Sequence, residues 1–248
     1  MRACTPLLVS SILLATSLAA CGDRHRETEP SAPAPGTPPI PAENVAASDA
    51  SATPPSAGQA APDQGLQGGS ADWRTVARAT DASLLGRLDQ AWRLGRAEAE
   101  DSGFAAQVEA LGPLVDPNAA RAGQLQPPPG AYRCRTIKLG RKVEGQGLAY
   151  VDYPPFRCTV ELTPGGDLVL TKTTGSQRTR GLLYPDGERR LVYLGAQALG
   201  DETGFPAYDD RADRNQIGVL ERVGPDRWRL ALPWPHAEAK LELLELTR

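Results

Sequence analysis

The pattern of apolar and polar positions divides the C-terminal part of the chain into a helical segment followed by strands. The first helix is indicated by apolar residues at helical spacing, namely Leu84, Leu85, Leu88, Ala91 and Trp92. Thr80 or Asp81 can cap this helix. A second helix is predicted over residues 103–111 and ends at Gly112-Pro113, a glycine and proline termination. The two helices together predict a helical hairpin.

From Ala131 onward the period changes to that of β-strands. Apolar and polar residues alternate over 156–162, which is typical of a half-buried antiparallel strand. Turn signals separate the strands that follow, at 164–167, 185–187 and 224–226, and a last strand is predicted over 240–246. The expected fold class is α+β: an N-terminal helical hairpin followed by a small antiparallel β-barrel or sandwich of about eight strands. A barrel is preferred because closure removes unpaired strand edges.

The N-terminus has the pattern of an export signal. A basic start at Arg2 precedes an apolar stretch that is too short and interrupted to span a membrane. The segment Leu18-Ala19-Ala20-Cys21 resembles the lipobox of bacterial lipoproteins, which implies removal of residues 1–20 and lipidation of Cys21. The resemblance places the protein in the bacterial cell envelope, and Gly22 after the cysteine favours the outer membrane, facing the periplasm. An ordinary signal peptide is the alternative.

Residues 21–72 are expected to be a tether, and residues 73–248 a single globular domain. The tether contains nine prolines and no aromatic residue, so it cannot bury enough apolar surface to offset chain entropy. It holds two basic and seven acidic residues, whereas the whole chain has a formal net charge of −3. The domain is therefore nearly neutral, which argues against nucleic acid as a partner.

The cysteines are assigned by the same division of the chain. Cys4 would be discarded with the signal and Cys21 lipidated, which leaves Cys134 and Cys158. An even pair in an exported chain predicts a disulfide bond. A redox-active pair is disfavoured because the two residues lack Cys-x-x-Cys spacing.

Four blocks of the folded part resemble a bacterial envelope family catalogued as domain of unknown function 4893. They are Tyr132–Arg135 with Ile137–Gly140, Thr174–Arg178, Leu199–Glu202 and Arg227–Leu230. The resemblance implies a single domain and assigns neither an activity nor a site.

Two polar loops are the candidate ligand-binding segments. In the first, Ser176, Gln177 and Arg178 follow Gly175 and could bind a carboxylate or phosphate. In the second, Asp201 and Glu202 begin an acidic loop that runs to Asp213. Its carboxylates could serve glycoside cleavage, or could pair with Arg211 and Arg214 as a solvated loop. The loop does not fit a calcium-binding EF-hand, because arginine stands where ligands are needed.

No catalytic residue, metal or cofactor is assigned from the sequence. His236 is the folded part's only histidine, lies beside Pro235, and is interpreted as a surface or packing residue. Zinc is disfavoured because the remaining cysteines are paired, and no dinucleotide or Walker motif is present.

Three functions remain open. The first is a non-enzymatic module on a lipid anchor that binds a small ligand or an envelope protein. The second is a cell-wall carbohydrate hydrolase that uses the loop carboxylates, and the third is an inhibitor or assembly factor. A cavity in the barrel would favour ligand binding, whereas two converging carboxylates would favour an enzyme. A barrel that is completely filled by side chains would favour a surface that binds a partner protein.

Overall fold

The structure is a computed structural model, and it describes residues 71–248. The predicted signal peptide 1–20, the lipidation site Cys21 and all but the last two residues of the tether 21–72 lie outside the described residues. These assignments stay predictions.

Within the described residues, four short α-helices precede the sheet: α1 (Trp73–Val76), α2 (Ala79–Leu85), α3 (Leu88–Ala99) and α4 (Ala105–Ala110). A π-helical turn, Glu100–Phe104, joins α3 to α4, and a 3₁₀ turn, Gly112–Leu114, follows α4. Within residues 71–248, no helix has the length and apolarity needed to cross a membrane.

The helices differ in detail from the sequence prediction. The described residues do not show a simple two-helix hairpin, because Gly86 and Arg87 divide the first predicted helix between α2 and α3. Neither Thr80 nor Asp81 is the cap of a helix, since α2 already begins at Ala79. The carboxylate of Asp81 is buried instead, where it accepts hydrogen bonds from Tyr208 and Asn215.

The sheet within the described residues has nine strands: β1 (Gly130–Arg141), β2 (Tyr150–Asp152), β3 (Phe156–Leu162), β4 (Leu168–Lys172), β5 (Gln177–Pro185), β6 (Leu191–Leu199), β7 (Asn215–Gly224), β8 (Arg227–Pro233) and β9 (Ala239–Thr247). From β3 to β9 each strand pairs antiparallel with the next, and β9 pairs with β1. Because β1 also pairs with β3, eight strands close an antiparallel barrel, which confirms the predicted barrel.

Strand β2 extends β3 along the same edge of β1. Lys138 is opposite Val151 in β2, and Cys134 is opposite Phe156 in β3. Between these two pairs β1 has three residues and the facing segment has four, so one residue of 153–155 has no counterpart in β1. Two of these three residues are prolines, which cannot donate a hydrogen bond to the ladder. The result is a bulge that interrupts the barrel wall.

Both faces of the barrel wall are covered. Inward-facing side chains form one apolar core that includes Tyr132, Leu170, Tyr193, Leu230 and Leu246. On the outer face, α3 and α4 pack against β1, β8 and β9, while α1 and α2 pack against β4 to β7. Many strands are therefore buried on both sides.

Helix α3 crosses β1 at a contact between two glycines. A Cβ atom at Gly140 would lie 2.8 Å from the Cα of Gly95, and Gly140 has φ +69°. A larger residue at Gly140 would both strain the backbone and push the helix away from the sheet.

The predicted disulfide between Cys134 and Cys158 is confirmed. The two residues lie on the adjacent strands β1 and β3, with their Cα atoms 5.9 Å apart, and both side chains belong to the barrel core. The bond holds β3 to β1 close to the bulge.

Candidate functional site

The barrel interior changes from apolar to polar at one end. We call this the polar end, and its loops are 142–149, 173–176, 200–214 and 234–238. The inward-facing residues near it are buried and polar, namely Thr136, Lys138, Lys172, Thr179, Gln197, Gln216 and Glu242. Burial of charged groups requires compensating partners, so the contacts of these side chains show which of them are left to interact with a ligand.

A cavity of about 380 Å³ opens among these side chains. We call it the lysine cavity, and it is lined by Thr136, Lys138, Tyr153, Pro154, Phe156, Lys172, Ser176, Gln177, Glu238 and Glu242. Its volume lies within the usual range of about 300–1,000 Å³ for small-molecule sites. The bulge at 153–155 contributes Tyr153 and Pro154, so the break in the wall forms part of the cavity.

Lys172 is a buried cation with no ion-pair partner among the described residues. Its Nζ donates to the backbone oxygen of Gln177 at 2.6 Å and lies 3.7 Å from the centroid of the Phe156 ring. Burial lowers the pKa of Lys172 to about 8, with Glu242 opposing the shift and Lys138 adding to it. The ammonium group is therefore still charged near neutral pH but is poorly neutralised.

The loop before β5 approaches this lysine closely. A Cβ atom at Gly175, which has φ +94°, would lie 2.9 Å from the Phe156 ring and 3.1 Å from Nζ of Lys172. Glycine at this position thus lets the loop close over the lysine and its aromatic partner.

Lys138, in contrast, is neutralised by carboxylates. Its Nζ lies 2.5 Å from Oε2 of Glu238 and 3.8 Å from Oε2 of Glu242, and it donates to the side chain of Gln177 at 2.7 Å. Burial raises the pKa of Glu242, while the charges of Lys138 and Lys172 oppose that shift. The cavity therefore holds two lysines whose charges are balanced unequally.

The hydroxyl of Thr136 is the cavity's unsatisfied polar group. Thr136 is only 3% exposed, and its Oγ1 has no hydrogen-bond partner among the described residues. A buried hydroxyl without a partner costs about 1–3 kcal/mol. Because it lines the same cavity as the two lysines, it could donate to an acceptor atom bound there.

A hydrogen-bonded layer lies deeper in the barrel. Thr179 hydrogen-bonds with the hydroxyl of Tyr193 and donates to the side chain of Gln216, and all three residues are buried. Burial raises the pKa of Tyr193, so this layer is uncharged.

The structure brings the two predicted ligand-binding loops together, because Gln177 is opposite Leu199 in the β5–β6 pair. Ser176 and Gln177 line the lysine cavity, and Gln177 contacts both lysines. Arg178 instead donates to the backbone oxygens of Gly200 and Glu202, outside the cavity.

The acidic loop is engaged in internal contacts. The carboxylate of Glu202 accepts from the backbone N–H of Leu199 and lies near Arg211 and Arg214, which both also contact Asp213. Asp201 is exposed. This arrangement corresponds to the interpretation of the loop as a solvated, ion-paired surface.

Two further carboxylates of the acidic loop, those of Asp209 and Asp210, do not line the lysine cavity. Asp209 pairs with Arg78, and Asp210 accepts from the backbone N–H of Ala207. His236 is exposed, and its backbone oxygen accepts from Lys142. Among residues 71–248, no cluster of three or more His, Cys, Asp and Glu side chains is placed to hold a metal ion.

The sequence analysis missed the cavity's most important members, Thr136, Lys138, Lys172 and Glu242. Each lies an even number of residues from Tyr132, Leu170 or Leu246 on the same strand. Its side chain therefore points into the barrel, as the side chains of those core residues do. These residues lie near strand ends, but alternation alone does not identify the inward face of a strand that is buried on both sides, as β4 is.

The sequence profile of a family described as a domain of unknown function, DUF4893, matches residues 73–246. The chain belongs to this family. No curated protein and no solved structure is significantly similar to the chain. The family description assigns no activity, so the function must be argued from the site itself.

Proposed function

We propose that this DUF4893 domain is a non-enzymatic binding module that holds a small organic anion in the lysine cavity. The observation that carries the proposal is the buried, poorly neutralised ammonium group of Lys172, which lines the same cavity as the unpartnered hydroxyl of Thr136. A carboxylate or phosphate would accept hydrogen bonds from both groups, and charge-assisted hydrogen bonds are the stronger kind.

The proposal includes the predicted setting of the chain. A lipid on Cys21 and a tether to residue 72 would hold the domain on the periplasmic side of the outer membrane. Such a module would capture its ligand close to the membrane surface, and envelope proteins would be candidate partners.

Binding is a better explanation of the cavity than hydrolysis. Two carboxylates, Glu238 and Glu242, do converge there, as a glycosidase requires. However, both contact the ammonium group of Lys138, which occupies the space between them. The barrel is also not completely filled by side chains, which favours a ligand site over a surface that acts only as an inhibitor or assembly factor.

Replacing Thr136 by valine tests the proposal. Valine keeps the shape of threonine and removes only an unpartnered hydroxyl, so the free energy of unfolding should stay the same or rise. The dissociation constant for acetate and for inorganic phosphate should increase about three- to tenfold, because one neutral hydrogen bond to the anion is lost. Both quantities are measured on the full chain, by urea unfolding and by NMR titration.

Thr179→Val is the matched control. This hydroxyl already has partners, Tyr193 and Gln216, so its removal should destabilise the fold by about 1–3 kcal/mol and leave anion affinity nearly unchanged. Acetamide, the uncharged analogue of acetate, should not bind. Equal affinity for acetate in the wild type and Thr136→Val, or no binding of either anion, would refute the proposed site.

A further inference from the structure

A second cavity adjoins the lysine cavity and shares three of its lining residues, Lys138, Tyr153 and Glu238. Its volume is about 480 Å³, and it lies under the loop that joins β1 to β2. The two cavities are therefore neighbours that meet at Tyr153 and the Lys138–Glu238 ion pair.

The second cavity is largely apolar. Val143, Leu148 and Val151 supply its apolar side chains, and Lys142, Gln146 and Gly147 complete the lining with the three shared residues; we call it the apolar groove. Leu148 is 64% exposed and Val143 is 50% exposed, which makes them two of the four large apolar side chains exposed in the described residues. The other two, Leu94 and Leu162, line neither cavity.

One lysine in the lining of the apolar groove, Lys142, uses its ammonium group in contacts with a neighbouring loop. The Nζ of Lys142 donates to the backbone oxygens of Pro235 and His236 in the neighbouring loop 234–238. Burial lowers the pKa of Lys142. The ammonium group thus fixes the position of one loop against another, and its methylene stem remains on the groove.

We propose that the ligand of the lysine cavity is a single-chain amphiphile, whose carboxylate head contacts Lys172 and Thr136 while its alkyl chain lies in the apolar groove. This inference rests on the proposed function and specifies the class of ligand. Its support is that a poorly neutralised cationic site and an exposed apolar groove share the lining residues Lys138, Tyr153 and Glu238. One groove takes one chain, so a free fatty acid fits this arrangement better than a two-chain membrane lipid.

The test is a series of carboxylates of increasing length, from acetate through hexanoate to decanoate, titrated into the full chain by calorimetry below their micelle-forming concentrations. Each methylene that enters the groove should lower the dissociation constant about two- to threefold, since burial of a methylene contributes about 0.8 kcal/mol when complete. Decanoate has about eight methylenes more than acetate, so it should bind at least about thirtyfold more tightly even where only about five of them enter the groove.

Two matched leucine variants locate the alkyl chain of the ligand. Leu148→Ser should weaken decanoate binding about fivefold and leave acetate binding unchanged, because only the longer ligand reaches the groove. Leu162→Ser changes a leucine of similar exposure, 57%, that lies outside both cavities, and it should leave both affinities unchanged. Because the variants carry the same residues 1–70, any binding of decanoate to that segment contributes equally to both.

The outcomes separate this inference from the proposed function. Equal affinities for acetate and decanoate, or equal decanoate affinities in the two leucine variants, would overturn the amphiphile and leave anion binding intact. Loss of acetate binding to the wild type would overturn both. If Leu148→Ser weakens only sedimentation with phosphatidylglycerol vesicles, the groove contacts a bilayer, and the proposed free ligand is wrong.

Discussion

Replacing Arg229 by methionine should lower the free energy of unfolding by about 3–5 kcal/mol, the usual effect of breaking a buried ion pair from one side. Arg229 is fully buried on the outer face of β8, beneath the helices. Its guanidinium pairs with Glu221, lies 4.7 Å from the centroid of the Trp92 ring, and donates to the backbone oxygens of Pro113, Leu114 and Asp116.

These contacts make Arg229 the link between the helices and the barrel. The three carbonyl groups lie at or just after the 3₁₀ turn that follows α4, so the arginine fixes the exit of the helical segment against β7 and β8. The variant would leave the carboxylate of Glu221 without its cation and would remove the arginine donor from three carbonyl groups, of which that of Asp116 still accepts from the backbone N–H of Ala119. Equilibrium urea unfolding of the full chain, with the disulfide intact, measures the loss.

The double variant Arg229→Met with Glu221→Leu is the control. It removes both charges, and apolar replacement of a whole buried pair is often neutral, so it should recover part of the lost stability. A single variant that unfolds within about 0.5 kcal/mol of the wild type would show that the pair does not hold the helices to the barrel.

The strands could be predicted from the sequence because turn chemistry and strand periodicity are local signals. The segment Phe156–Leu162 and the turns at Pro164–Asp167 and Gly224–Asp226 lie where the pattern placed them. Barrel closure was inferred only from the general disadvantage of open edges. The pairing of β1 with β9 joins residues about a hundred positions apart, and no local pattern specifies such a contact.

The inward face of each strand could not be deduced from alternation. Helices cover much of the outside of the barrel, so β4 and most of β6 are buried at every position. Where both faces are apolar, a period of two carries little information about which face is the interior. Lys138 and Lys172 consequently looked like ordinary polar positions near strand ends.

The site was predicted only where a loop supplied the signal. Ser176 and Gln177 stand in a glycine-containing polar loop, and they do line the lysine cavity. Lys138, Lys172 and Glu242 come from three separate strands, β1, β4 and β9. Their convergence depends on barrel closure and on the bulge at 153–155, so it follows from tertiary structure.

The two lysines of the cavity differ in their electrostatic surroundings, and this difference predicts how binding depends on pH. Lys138 is paired with Glu238 and Glu242 and serves to hold those carboxylates inside the barrel. Lys172 has only a backbone oxygen and an aromatic ring as close partners. The second lysine should therefore provide the charge that the ligand recognises.

Decanoate should bind with constant affinity up to about pH 8, and its affinity should then fall about tenfold for each further pH unit. Because burial lowers the pKa of Lys172 to about 8, the ammonium group that the carboxylate requires is lost above that pH. Lys172→Met should bind decanoate about a hundredfold more weakly at pH 7, the effect of removing about 2–3 kcal/mol of charge-assisted hydrogen bonding. The wild type should approach the affinity of this variant near pH 10, and the variant's own affinity should not depend on pH in this range.

The contribution of Lys172 to the free energy of unfolding should rise over the pH range in which decanoate binding weakens. This difference distinguishes the titration of Lys172 from unfolding in alkali. The pKa of Lys172 is lower in the folded state than its ordinary value of 10.5, so between pH 8 and that value the unfolded chain binds more protons. The contribution of Lys172 to the free energy of unfolding therefore rises with pH, and it is measured as the difference between the wild type and Lys172→Met. Arg189→Gln removes one positive charge from an exposed loop at the other end of the barrel, and it should leave the pH profile of binding unchanged. If Lys172→Met shows the same fall in affinity above pH 8 as the wild type, a group other than Lys172 binds the anion.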